Sequence, residues 1–182
     1  MRHSFVAGVL MLVALLVAGL SATAAEGERQ ITLSTPVSGV IRAIHVSAGN
    51  RVRSGEPLIE FDDRTFRARV SRARAQLNKL RVMRDEARRE HQRTLELYNR
   101  RVISKHDLQL SEIAAAGAEA DYISARSELT EAEVALEYAT VRAPADGEVV
   151  EVLVNPGETI VNRQQVTPML ILRRDGLAPH GN

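Results

Sequence analysis

The side chains of this chain that could do chemistry are spaced for contact rather than for catalysis. His3, His45, His91, His106 and His180 share no metal-ligand spacing, and there is no cysteine to supply a thiolate or a disulfide. His106 and Asp107 are adjacent, but a single pair at a helix start does not make a site. No nucleophile motif and no phosphate-cradling loop is present, so no enzymatic activity is expected. The remaining chemistry is charge. Residues 64–101 hold twelve arginines and one lysine against four acids, and residues 105–139 hold eight acids against Lys105 and Arg126. A basic segment alone suggests a polyanion such as nucleic acid. Beside an acidic segment, it is read as one of two helices that attract each other, and no nucleic-acid partner is expected.

The elements that carry these charges sit inside a duplication. Pro36-Val37-Ser38-Gly39 runs on through Val46 and Gly49 to Val52, and Pro144-Ala145-Asp146-Gly147 runs on through Val154 and Gly157 to Ile160, each pair offset by 108 residues. Short β-rich pieces punctuated by glycine predict strands. Gly39, Gly49, Gly147 and Gly157 are read as the turn positions. In Asn155-Pro156-Gly157-Glu158 the order is that of a type II turn, with Ser47-Ala48-Gly49-Asn50 as its equivalent. Neither half can bury its own apolar face, so the two must pair, bringing Phe61 close to Val141. Asn162-Arg163-Gln164-Gln165 lengthens the second copy by three residues and predicts a longer loop there.

Between the halves lies sequence whose only glycine is Gly117 and which has no proline. Its periodicity predicts helix one over 64–100 and helix two over 105–139. Phe66, Val70, Ala73, Leu77 and Leu80 follow the four-three step of a coiled coil. Helix one then reads as slipping phase through Met83 and Ala87 to Thr94 and Leu97, with Arg84 and His91 interrupting the seam. Helix two keeps the step from Leu108 to Ala139. Asp62 and Asp63 are placed to cap helix one. The chain reverses within Asn99–Ile103. Ser104 is the N-cap of helix two, Asp107 its capping-box partner, and Ile103 and Leu108 the hydrophobic staple. The expected product is an antiparallel hairpin about 50 Å long, spanning 62–140.

Met1-Arg2-His3, the apolar run Phe5–Leu20 and Ala22-Thr23-Ala24 read as an export signal over 1–24. A retained inner-membrane anchor is the alternative. Residues 176–182 form a polar tail.

Val141-Arg142-Ala143-Pro144-Ala145-Asp146-Gly147-Glu148-Val149 resembles the start of the second half of the biotinyl/lipoyl carrier fold. Carriers acylate a lysine at the tip of a central hairpin. Here that place reads Asp62-Asp63-Arg64, and the only lysines are Lys79 and Lys105, so no cofactor is expected. A split module with an inserted hairpin resembles instead the periplasmic adaptors, also called membrane fusion proteins or HlyD-type proteins. The resemblance implies an α+β fold. A lipoyl-like β module, a flattened barrel or sandwich, is built from 31–61 and 141–175, with the coiled-coil hairpin between.

The resemblance also implies partners. Such adaptors bridge an inner-membrane transporter to an outer-membrane channel of the TolC family. They dock through an arginine, a leucine four residues on and a serine seven further, which this chain has as Arg93, Leu97 and Ser104. A homo-oligomeric ring of six and a periplasmic location follow from the family. Its usual member is larger, with further domains on both sides, so a minimal adaptor is expected. The alternative is an envelope scaffold that reuses the architecture without forming a conduit. The transported substrate is not encoded in walls of this kind.

Overall fold

A computed structural model of the chain describes residues 30–162 and 166–175. The expected signal segment 1–24, the tail 176–182 and most of the Asn162–Gln165 lengthening lie outside these residues. The chain divides into a β unit, which ends at Phe61 and resumes at Thr140, and a helical unit over Asp62–Ala139.

The β unit has strands β1 (Gln30–Leu33), β2 (Gly39–Ile44), β3 (Arg51–Val52) and β4 (Pro57–Phe61) from the first half. From the second come β5 (Thr140–Arg142), β6 (Gly147–Val152), β7 (Thr159–Ile160) and β8 (Leu170–Arg174). They form two four-stranded sheets, ordered β1-β8-β6-β3 and β5-β4-β2-β7. Exchanging the equivalent strands of the two halves turns one order into the other. The duplication is therefore a structural two-fold, and each sheet is built from both halves.

Backbone bonds obey the same symmetry. Ile41 N–H donates to Glu158 O and Gly157 N–H to Ile41 O, at 2.9 and 2.8 Å. The equivalents are Val149 N–H to Asn50 O and Gly49 N–H to Val149 O, both 2.8 Å. Each tight turn thus bonds to the middle of the other half's long strand. Irregular register also recurs in step, between Ile41 and Ala43 and between Val149 and Glu151, where the strands bend.

The core is shared. Leu58, Ile59 and Phe61 of the first half are at most 1% exposed, and Met169, Leu170 and Leu172 of the second are fully buried. These triplets are offset by 111 residues, so the three-residue lengthening is absorbed before β8. Each such side chain contributes about 1.5–3 kcal/mol over an exposed one. A lone half would forfeit that burial. Pairing of β4 with β5 sets Ile59 opposite Val141 and Glu60 opposite Thr140, beside the ends where the chain leaves and re-enters the unit.

The four glycines divide into two kinds. Gly49 and Gly157 have φ of 86° and 84°, the left-handed conformation of the third residue in a type II turn. Gly39 and Gly147 are not turn residues but the first residues of β2 and β6. They are small because something lies close. A Cβ on Gly39 would sit 3.0 Å from the Phe61 ring, and one on Gly147 would sit 2.3 Å from the Arg173 carbonyl oxygen.

Asn162 also has a role that the sequence reading did not single out. Its amide N–H₂ donates to Thr35 O and Val37 O at 2.7 and 2.9 Å, and its Oδ1 accepts from Thr167 N–H at 3.0 Å. One side chain thereby ties Thr167, ahead of β8, to the segment before β2. A lone asparagine in a polar stretch gives no signal of this.

Candidate functional site at the hairpin tip

The helical unit consists of α1 (Arg64–Asn99) and α2 (Lys105–Glu137). The start of α1 departs from expectation. Asp63 holds the N-cap position with near-helical angles and makes no side-chain cap. Asp62 Oδ1 instead accepts the Arg64 N–H at 3.2 Å, while the Asp63 carboxylate pairs with the Arg67 guanidinium at 2.7 Å. Neighbouring arginines compete successfully for both carboxylates.

The seam of α1 does not slip. Phe66, Val70, Ala73, Leu77, Leu80, Arg84, Ala87, His91, Thr94 and Tyr98 keep the four-three step and are withdrawn from solvent, whereas Met83 is 51% exposed. Polar residues hold the seam because each finds a partner. The Arg84 guanidinium lies over the Tyr122 ring at 4.1 Å and pairs with Asp85 at 2.6 Å. Glu119 stands 4.0 Å from Arg84 and 2.7 Å from Arg88. Its buried Oε2 is held by that charge without an aligned hydrogen bond. Arg84 holds the Asp85 carboxyl below its usual range, chiefly by hydrogen bonding.

Nearer the tip, His91 Nδ1 is 3.0 Å from Ser111 Oγ. The Ser111 hydroxyl donates to Leu108 O at 2.8 Å, so Nδ1 is the donor in the first contact. The Thr94 hydroxyl donates to Glu90 O at 2.8 Å. Periodicity counted by apolar residues alone misses Arg84 and His91.

The tip is closed by two backbone devices. At the end of α1, Arg101 N–H donates to Tyr98 O at 2.8 Å and Val102 N–H to Leu97 O at 2.9 Å. This is the paired bonding of a Schellman motif, and Arg101 takes its left-handed position at φ 58°. Ser104 opens α2 with φ −79° and ψ 161°, and its capping box with Asp107 is complete. Asp107 N–H donates to Ser104 Oγ at 3.2 Å, and Ser104 N–H and O–H both donate to Asp107 Oδ2, at 3.1 and 2.6 Å.

Those bonds, the hydroxyl's foremost, hold the Asp107 carboxyl below its usual range. The carboxylate's share of stability is therefore present above the unfolded value and lost as pH falls through the lower folded value. Ser104→Ala is expected to cost about 1 kcal/mol of hairpin stability at neutral pH. The gap from wild type should narrow in acid below the ordinary aspartate value of 3.8. Thermal melts followed by circular dichroism at both pH values test this; a gap unchanged in acid contradicts it.

Arg93 and Leu97 lie one turn apart on α1, and Ser104 follows the reversal. No hydrogen bond or ion pair joins the three among the described residues. The Arg93 side chain is 62% exposed and pairs with Glu90 one turn back. Leu97 is half-buried and lies beside the seam positions Thr94 and Tyr98 rather than in them. Ser104 is exposed. Val102, at the reversal itself, is 66% exposed.

Away from the seam, α2 carries a second apolar stripe. Leu110, Ile113, Ile123 and Val134 are 52%, 68%, 54% and 40% exposed, with Gly117, Ala120, Ser127 and Thr130 between them at similar spacing. The step of the coiled coil sets this stripe on the face opposite the seam. The charges of the two helices mostly do not neutralise each other either. Interhelical pairs join Arg74 to Glu133 and both Arg84 and Arg88 to Glu119. Arg72, Lys79 and Arg81 on α1, and Asp121, Glu128 and Glu131 on α2, have no ion pair among the described residues.

Comparison with known proteins gives a consistent result. Residues 29–172 match the family model of the barrel-sandwich hybrid domain of RND membrane fusion proteins. The chain is 28% identical over 142 residues to the multidrug resistance protein MdtA of Yersinia enterocolitica, covering 78% of this chain and 32% of that protein. It is 29% identical over 119 residues to MdtA of Pectobacterium carotovorum, covering 65% and 29%. It thus spans about a third of the length of the curated relatives it matches.

Among solved structures, a MacA–MexA chimera containing the Pseudomonas aeruginosa MexA α-hairpin domain superposes with a TM-score of 0.56 at 25% identity, over 80% of this chain and 46% of that one. The membrane fusion protein Spr0693 of Streptococcus pneumoniae shares the fold with a TM-score of 0.59 at 17% identity, over 80% and 59%. Among the described residues, no helix is long and apolar enough to cross a membrane.

Proposed function

The chain belongs to the RND membrane fusion proteins, and from that membership we propose that it is a non-enzymatic adaptor of an efflux or secretion assembly. It works in the periplasm, exported by its N-terminal segment, and its hairpin tip docks on an outer-membrane channel of the TolC family. An inner-membrane transporter is the second partner. The carrying observation is the tip. Arg93, Leu97 and Ser104 stand at the family's spacing around a reversal closed by two complete caps, with Leu97 outside the hairpin's own seam. A rigid tip presents an arginine, the charged residue favoured at binding hot spots, with an apolar side chain one turn away.

The test is isolation of the tagged chain from detergent-solubilised envelopes, followed by mass spectrometry. Channel and transporter are expected to co-purify. Recovery of other envelope proteins but neither of these overturns the adaptor reading in favour of a scaffold.

A homo-oligomeric ring belongs to the same reading, supported by the second stripe of α2. An exposed apolar row flanked by unpaired acids complements the outward cations of α1 on a second copy. Ile113→Asp combined with Ile123→Asp is expected to abolish adaptor–adaptor cross-links in intact envelopes while leaving the helix content unchanged. Cross-links of wild-type yield in the double variant contradict this assignment of the interface.

A further inference from the structure

We propose that Arg101, with Arg100 and Val102, is the leading contact of the tip. In this assignment Arg101 is held in a strained backbone conformation in order to meet acceptor oxygens on the outer-membrane channel. The inference rests on the docking reading above and extends it to residues outside the Arg93, Leu97 and Ser104 set.

It begins with a cost. A helix that ends in a Schellman motif needs a left-handed residue at the position Arg101 occupies, and glycine is the usual occupant because it has no Cβ to clash. Asparagine and aspartate are the usual substitutes. Arginine is neither, yet Arg101 is the one described non-glycine residue with positive φ.

The fold does not supply the reason. Arg101 is exposed, and its side chain makes no hydrogen bond or ion pair among the described residues, nor does that of Arg100. The negative end of α1 favours a nearby cation. Arg100, which takes no strained angle, already provides one. A backbone cost with no return inside the fold points to a functional contact.

The surroundings define the partner's chemistry. Two adjacent arginines immediately precede Val102, whose side chain is among the most exposed apolar groups described. A guanidinium offers a planar fork of donors that matches carboxylates and open carbonyl oxygens. Asn99–Ile103 is the reversal of the hairpin, so these groups lead any end-on approach. The Schellman and capping-box bonds fix the backbone beneath them, which limits the ordering cost on contact.

The experiment uses the full chain and the host's TolC-family channel, purified in detergent. Arg101→Gly is expected to raise the thermal midpoint by about 2–4 °C and to weaken channel binding about tenfold. Arg101→Lys keeps the charge and the strained angle but loses the fork, so its affinity should fall between the two. High salt should shrink the difference between wild type and Arg101→Gly.

Arg101→Gly that binds as wild type while Leu97→Asp does not overturns this inference and leaves docking standing. A lowered midpoint for Arg101→Gly overturns it too, since the arginine would then serve the helix end. Failure of the wild-type chain to bind the channel removes the docking reading, and this inference with it.

Discussion

Gly147→Ala is expected to destabilise the β unit by about 3 kcal/mol or more, a large part of the stability of an ordinary domain. The methyl group would lie 2.3 Å from Arg173 O, 3.1 Å from its carbonyl carbon and 3.2 Å from the Arg174 Cα. All three are backbone atoms of β8, so no rotamer change relieves the contact. Gly147 pairs with Arg174 at the end of the β6–β8 ladder, and moving β8 away disturbs the strand that buries Leu170 and Leu172.

Two other glycines supply controls. Gly39 is the symmetric equivalent, but its close neighbour is the Phe61 ring, a side chain that can shift, so Gly39→Ala should cost less. Gly117 lies inside α2 with nothing within 4 Å, so Gly117→Ala should stabilise by about 1 kcal/mol. Denaturant titration of the three variants tests the order. Gly147→Ala at wild-type stability would show that the strands yield without cost.

The same glycines show how far the sequence could be read. An offset of 108 residues marked Gly39 and Gly147 as equivalent, and β2 with β6 and β3 with β7 keep that offset in their bounds. The repeat could not reveal that one glycine faces a ring and the other a carbonyl. That depends on how the paired strand of the same half, β4 beside Gly39 and β8 beside Gly147, lies against each glycine. The two-fold itself is consistent with the repeat, because neither copy can bury its core alone.

The hairpin was legible where apolar residues mark the seam and illegible where polar ones do. Arg84 and His91 read as interruptions because a lone sequence does not display Tyr122 and Ser111 across the helix pair. Leu97 read as a seam residue for the complementary reason: it is apolar and near the right phase. The αL angle of Arg101 left no trace, since nothing about an arginine announces positive φ.

That displacement of Leu97 from the seam leads to the second large effect. Leu97→Asp and Arg93→Asp are each expected to abolish capture of the outer-membrane channel while the hairpin keeps its fold. Central interface anchors cost at least about 2 kcal/mol when truncated, or roughly thirtyfold in affinity, and a buried unpaired carboxylate costs more. Loss of the fold is not an available explanation, for separate reasons at the two sites. Thr94 and Tyr98 occupy the neighbouring seam positions, so an aspartate at 97 replaces a half-buried side chain beside the seam rather than one of its knobs. Arg93 loses only its pair with Glu90, in which both side chains are more than half exposed, and such pairs contribute little.

Substitution at Arg93 does add a like charge one turn from Glu90, a penalty of a few tenths of a kcal/mol. Circular dichroism melts therefore serve as the folding control, and site-specific cross-linking to the channel is the readout. An aspartate variant that melts as wild type and cross-links as wild type removes Arg93 or Leu97 from the docking surface. One that melts as wild type and fails to cross-link places the contact on the tip and not on the stripe of α2.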